Sequence, residues 1–339
     1  MSVMRSRRMR TGRSIFLATL FTLQSAACAA SEPKVAFDVV ADVALPGNSS
    51  RFDYESLDLS RHRLFIAHLG ASEVLIFDTQ KRQVIGRIEN VSNVHGVLVI
   101  PELHRVYASA TGTNEVVAID EDSLEITARM PGGRYPDGMA YAPDVHKLYV
   151  SDETGETETV IDTASNLRVA TIALGGEVGN TQYDSVTKHI FVNVQSRNDL
   201  VEIDPATDTI VARIQLPGAQ GNHGLLIDAK ARRAFVACEG NDKLIVLDLE
   251  SRKVSAEFKV GSGPDVLAED GSAGRVYVAS ESGTVSVFER KGDDVSKLWD
   301  IFLAPNAHVL AIDPAQHLAY FPLKESRLGP VLRIVALKP

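Results

Sequence analysis

The chain has 339 residues, 45 % of them hydrophobic, and a formal net charge of −9, a length that admits one or two globular domains. Five cations, Arg5, Arg7, Arg8, Arg10 and Arg13, crowd the N-terminus, and without their five charges the −9 becomes about −14 for the remainder. Such an acidic remainder argues against nucleic-acid or anionic-membrane binding, which needs a basic patch, and favours cationic ligands or simple solubility.

In chain order, the basic start is followed by an apolar run from Ile15 to Leu23 and by the small residues Ser25-Ala26-Ala27-Cys28-Ala29-Ala30. This pattern predicts a cleaved secretory signal over residues 1–30, cut near Ala29 or Ala30, and hence a periplasmic or secreted protein of residues 31–339. The apolar run is shorter than the roughly 20 residues a membrane span takes. Lipidation of Cys28 would want an aliphatic residue where Ser25 stands, and Met9-Arg10-Thr11 continues a twin-arginine signal poorly. Cleavage leaves Cys238 as the one thiol. No intramolecular disulfide is then possible, and this thiol is expected to be buried in a strand.

Past residue 35 the chain repeats. A short strand with an aromatic second residue recurs as Leu64-Phe65-Ile66, Val106-Tyr107-Ala108, Leu148-Tyr149-Val150, Ile190-Phe191-Val192, Ala234-Phe235-Val236, Val276-Tyr277-Val278 and Ala319-Tyr320-Phe321, in steps of 42, 42, 42, 44, 42 and 43 residues. Asp78, Asp120, Asp162, Asp204 and Asp248 keep the same rhythm, each closing a β-rich run before a polar turn and a further strand. Each unit reads as four strands joined by hairpin-forming turns. Seven such units of roughly 40 residues predict an all-β, seven-bladed β-propeller, with four antiparallel strands per blade. The last unit, from His308, has only three strands of its own. The run Phe37-Asp38-Val39-Val40-Ala41-Asp42-Val43-Ala44 is expected to supply the fourth and so remove an unpaired edge.

Lys147-Leu148-Tyr149-Val150-Ser151, with Val160-Ile161-Asp162-Thr163 and Val169-Ala170-Thr171-Ile172 behind it, resembles the YVTN β-propeller repeat. Over residues 35–339 the chain is similar to the YncE-like exported bacterial propellers. The resemblance implies the fold firmly and the function weakly, since propellers of this kind include binding proteins, lactonases, lyases and redox domains.

Phase also aligns positions that could carry chemistry. Asp53, His95, Asp137, Gly179, His223, Asp265 and His308 stand near the start of each innermost strand, so they are expected to ring one mouth of the central channel. Leu69, Thr111, Glu153, Gln195, Glu239, Glu281 and Lys324, just past the second strands, form a second ring at that mouth. Together the rings hold three histidines, six carboxylates and a lysine. The candidate metal ligands are His95, His223, His308, Asp53, Asp137 and Asp265. Imidazole with carboxylate suits zinc, copper and related metals, and carboxylate alone suits calcium or magnesium. Each of these histidines has an aspartate on a neighbouring blade to orient it. Alternatively, the same groups satisfy one another by hydrogen bonds between blades and hold no ligand.

The expected guest is a small molecule or metal ion, with a protein partner also open. If the mouth is catalytic, as in the lactonases and streptogramin lyases among similar propellers, Glu239 or Glu281 is the candidate base and His223 or His308 the candidate acid. His62, His104 and His146, at the opposite face, read as turn residues. No G-x-S-x-G occurs, and Gly175-Gly176 and Gly261-Ser262-Gly263 read as blade linkers, because no helix follows them. Gly179-Asn180 is the place to look for a gap in the ring.

Overall fold

The computed structural model describes residues 37–337; the predicted export signal and its cleavage point lie outside them. Each repeat forms a four-stranded antiparallel sheet in simple meander order. Blade 1 comprises Glu55–Asp58, Arg63–His68, Glu73–Asp78 and Gln83–Glu89, and blades 2–6 repeat the plan. Blade 7 takes Ala311–Asp313, Leu318–Leu323 and Val331–Leu337 from the C-terminal end and Phe37–Ala44 from the start of the described chain. The pairing runs from Phe37 opposite Leu337 to Ala44 opposite Val331, so the closing strand has the bounds expected of it. Among the described residues the only helices are seven single 3₁₀ turns, and none is long and apolar enough to cross a membrane.

The core is divided among the blade interfaces. Seven apolar clusters lie between successive blades, and each contains one of the seven repeating aromatics. Phe65, for example, packs with Val97, Val99 and Val106 of blade 2, and Tyr320 with Phe52, Leu64 and Leu75 of blade 1. The regular step is therefore the spacing of a packing unit, since a lone blade could not bury these rings. Outer strands alternate exposed and half-buried residues, as in Leu167–Ala173, because only their inward face meets a neighbour.

The repeating aspartates have a local cause. Asp78, Asp120, Asp162, Asp204 and Asp248 each accept a backbone N–H from the turn they open, from Lys81, Ser123, Ser165, Ala206 and Ser251. These are Asx turns. His62, His104 and His146 take left-handed backbone angles at the first hairpins, in keeping with their reading as turn residues. Cys238 is fully buried in Arg233–Cys238, and burial pushes its thiol up to about 12.

A chain beginning at Leu45 would leave Val331–Leu337 as a bare edge. It should lose the single cooperative thermal transition of the longer protein and associate on size-exclusion chromatography. A monomer with an unchanged transition would contradict the closure.

Candidate functional site at the channel mouth

The inner strands do not enter the mouth as regular β-structure. In blade 2 the pairing skips from Val94–Ala110 to Val97–Ala108, so His95 and Gly96 together face Ser109. The same skip occurs at residues 137–138, 179–180, 223–224 and 265–266. Each in-phase site residue of blades 2–6 is thus the first residue of a β-bulge, a feature that re-aims a side chain. The next residue is crowded, which explains the glycines there. A Cβ on Gly96 would lie 2.1 Å from the Asp137 carbonyl oxygen, and one on Gly224 would lie 1.9 Å from that of Asp265.

The mouth encloses a cavity of about 770 Å³. Asp53, His95, Asp137, His223 and Asp265 line it with Leu69, Thr111, Glu153, Glu239 and Glu281. Asp53, Asp137, Asp265 and His308 are 2–4 % exposed, whereas Glu239 is exposed. His308 donates from Nδ1 to Asp265 Oδ2 at 2.8 Å. His223 Nε2 lies 3.7 Å from Asp265 Oδ1 and 4.0 Å from Asp137 Oδ2. Two sets of donor atoms gather within 4.8 Å of one another: His223, Glu239 and Asp265, and Asp265, Glu281 and His308.

Three expectations change. His95 is not oriented by a neighbouring aspartate. Its Nδ1 donates to the Asn93 carbonyl at 2.9 Å, and its Nε2 accepts from the Tyr135 hydroxyl at 3.0 Å. Lys324 does not line the cavity. The cation there is Arg51, whose Nη1 donates to Glu281 Oε1 at 2.6 Å and whose Nε donates to Asp53 Oδ2 at 3.2 Å. Gly179-Asn180 leaves no gap, because Gly179 packs on the His223 backbone, where an added Cβ would be 2.8 Å away.

Asn180 instead meets Tyr54 across the channel. The Tyr54 hydroxyl donates to Asn180 Oδ1 at 2.5 Å and lies 3.2 Å from His223 Nε2. The position after the ring residue reads Tyr54, Gly96, Gly138, Asn180, Gly224, Val266 and Val309 in phase. Two long polar side chains among these small and apolar ones were the available signal. Arg51 is likewise in phase, two residues before the ring position, where the other blades carry Asn93, Tyr135, Glu177, Gly221, Gly263 and Asn306; a lone cation at that position was its signal.

Electrostatics divide the carboxylates. Burial, reinforced by Asp265, raises Asp53; burial, with Asp53, Glu153 and Asp265 adding to it against His223, raises Asp137 well above the usual carboxylate range. Burial also works against ionised Asp265, but the His308 hydrogen bond and the cations His308, His223 and Arg51 outweigh it and hold this group low. Burial would depress His223, yet Asp265, Glu239, Asp137 and Glu153 together hold it up to about 9. The mouth therefore keeps protons on some carboxyls and cations against others.

No protein-family model matches the chain, and no curated protein matches it. Among solved structures, virginiamycin B lyase from Staphylococcus aureus superposes with a TM-score of 0.73 at 11 % identity, over 89 % of this chain and 100 % of that one. A streptogramin B lyase gives 0.73 at 12 % identity, over 89 % and 98 %. A chain of the mitotic checkpoint complex gives 0.75 at 11 % identity, over 95 % and 99 %. At these identities the likeness establishes the β-propeller fold.

His223 should titrate near 9 in chelator-treated protein. Because that lies above the ordinary value of about 6.5, its imidazolium stabilises the fold fully below about 6.5, and the contribution is lost as pH rises through about 9. Imidazole NMR of wild type against Asp265→Asn measures this; a wild-type midpoint at or below about 6.5 would contradict the charge balance described.

Proposed function

We propose that this chain is an exported binding protein of the YVTN-repeat, YncE-like kind, whose channel mouth holds a divalent metal ion on His223, Glu239 and Asp265 and presents it to a small-molecule ligand. The observation that carries this reading is the convergence of those three donors within 4.8 Å, with Asp265 Oδ1 buried and without a hydrogen-bond partner among the described residues. A buried carboxylate oxygen without a hydrogen bond is costly, and the His223 nitrogen 3.7 Å away is too far to supply one; a metal ion held between the two relieves that cost. One imidazole and two carboxylates form a three-ligand set of the kind that leaves a position open, which favours zinc or copper over calcium and magnesium.

The second donor set suits a metal less well. Arg51 already neutralises Glu281 at 2.6 Å, and His308 already spends its Nδ1 proton on Asp265. His308 then orients Asp265 from behind, as outer partners of metal ligands do. Export is supported by the basic, apolar and small-residue succession over residues 1–30. N-terminal sequencing of the protein recovered from periplasm should begin just after Ala29 or Ala30, and an intact Met1 on all recovered protein would count against export.

A second reading, hydrolase or lyase chemistry at the same mouth, is favoured by the pairing of a high-pKa His223 with solvent-exposed Glu239 in one cavity. His223 would serve as acid and Glu239 as base. In this reading the two groups act on the substrate directly and are not occupied as metal ligands. Two of the similar propellers carry lyase in their names, which makes lactones and cyclic esters the compounds to screen.

Metal analysis of protein purified without chelator or affinity tag should find near-stoichiometric zinc or copper in wild type. His223→Ala should weaken binding by at least about 10-fold, and His308→Ala by less. Wild type without metal, and with unchanged thermal stability when metal is added back, would reduce the ring to blade-to-blade hydrogen bonding.

A further inference from the structure

Below Tyr54 the channel contains a second cavity, of about 370 Å³, walled by the inner strands of all seven blades. This is within the range of small-molecule pockets, roughly 300–1,000 Å³. Its wall differs from the mouth. Leu57, Leu98, Met139, Leu226, Val266 and Ile312 make about half of it apolar, and the carboxyl groups that line it are those of Glu55 and Glu269. Tyr54 borders both cavities, and its hydrogen bond to Asn180 bridges the channel between them.

The two carboxyls are not equivalent. Glu269 is paired with Arg290, whose Nη2 stands 2.8 Å from Oε2. Glu55 has no ion-pair partner among the described residues, and both its oxygens are shielded from solvent without a hydrogen-bond partner of ordinary geometry. Burial raises this carboxyl well above the usual carboxylate range, and the backbone of Ala311 is the one polar group among the described residues that opposes the rise. A carboxyl shielded from water with so little compensation is costly, and nothing in the blade packing requires an acid there. In blade 2 the in-phase position is Val97, which serves the same inner strand without a charge.

We infer that the lower channel is a binding site for a primary alkyl- or arylalkyl-ammonium ion, with its ammonium against Glu55 and its apolar body along the leucine-lined wall. A cation supplies the opposite charge that Glu55 lacks and hydrogen-bond donors beyond the Ala311 backbone. The apolar half of the wall favours a hydrocarbon substituent over a bare metal ion, and the acidic surface of the protein favours a cation over an anion in reaching the channel. The Tyr54–Asn180 bridge separates this site from the mouth, so the inference stands apart from the metal reading.

Calorimetric titration with n-hexylammonium and n-hexanol at neutral pH tests it, using wild type, Glu55→Gln and Asp265→Asn. The expected result is one n-hexylammonium per chain, with n-hexanol and the Glu55→Gln variant each at least about 10-fold weaker and Asp265→Asn within about twofold of wild type. Thermal melts establish that the variants are folded. Should Glu55→Gln fail to fold, Leu226→Trp, which fills the cavity, must abolish binding instead. Equal affinity for the alcohol and the amine, amine binding lost in Asp265→Asn but kept in Glu55→Gln, or no binding at about 10 mM amine would each overturn the proposal.

Discussion

The constraint on which the mouth depends is the convergence of carboxylates that seven in-phase strands impose. A blade can bury its aromatic only against its neighbour, so the ring must close, and closure brings every inner strand to one axis. Acids on several of those strands then meet at one mouth, where the burial of Asp53, Asp137 and Asp265 strengthens the repulsion between like charges. The protein answers in three ways. Asp53 and Asp137 are driven toward their neutral forms. His308 and His223 face Asp265 as cations. Arg51 reaches in from the irregular segment that follows the closing strand to hold Glu281 and Asp53.

This arrangement leaves an asymmetric site rather than a ring of equal ligands. On the side of blades 5 and 6, His223, Glu239 and Asp265 converge without a guanidinium among them. On the side of blades 6 and 7, Arg51 and the His308–Asp265 hydrogen bond already supply the compensating charge. His95, nominally equivalent to His223, is tied to Tyr135 and the Asn93 carbonyl. Repeat symmetry places the side chains, and the departures from repeat symmetry decide what each can do.

The fold was legible in the sequence because its cause is periodic. Seven aromatics at steps of 42 to 44 residues mark seven packing interfaces, and the three-stranded last repeat with its orphan partner at Phe37–Ala44 marks closure. The candidate site was legible only as far as it shares that period. Spacing identifies which residues reach the mouth, but it cannot show the bulges that turn His223 and Asp265 inward, because a bulge is a property of pairing between two strands. Nor does it reveal that Arg51, alone charged positive among its in-phase counterparts Asn93, Tyr135, Glu177, Gly221, Gly263 and Asn306, turns onto Glu281 and Asp53, or that Tyr54 and Asn180 meet across the axis. Residues joined by a fixed step can be read from one strand of text; contacts across a ring require the ring.

The central claim is that the Asp265 oxygen without a hydrogen bond, rather than the ring as a whole, defines where a metal ion sits. Anomalous diffraction at the zinc edge, from crystals of the full mature chain grown with zinc, addresses it directly. The account predicts one strong peak within about 2.0–2.2 Å of a His223 nitrogen and of Asp265 and Glu239 oxygens, with Arg51 still on Glu281. A peak between Asp265, Glu281 and His308 with Arg51 displaced, or no peak in the mouth at all, would contradict it.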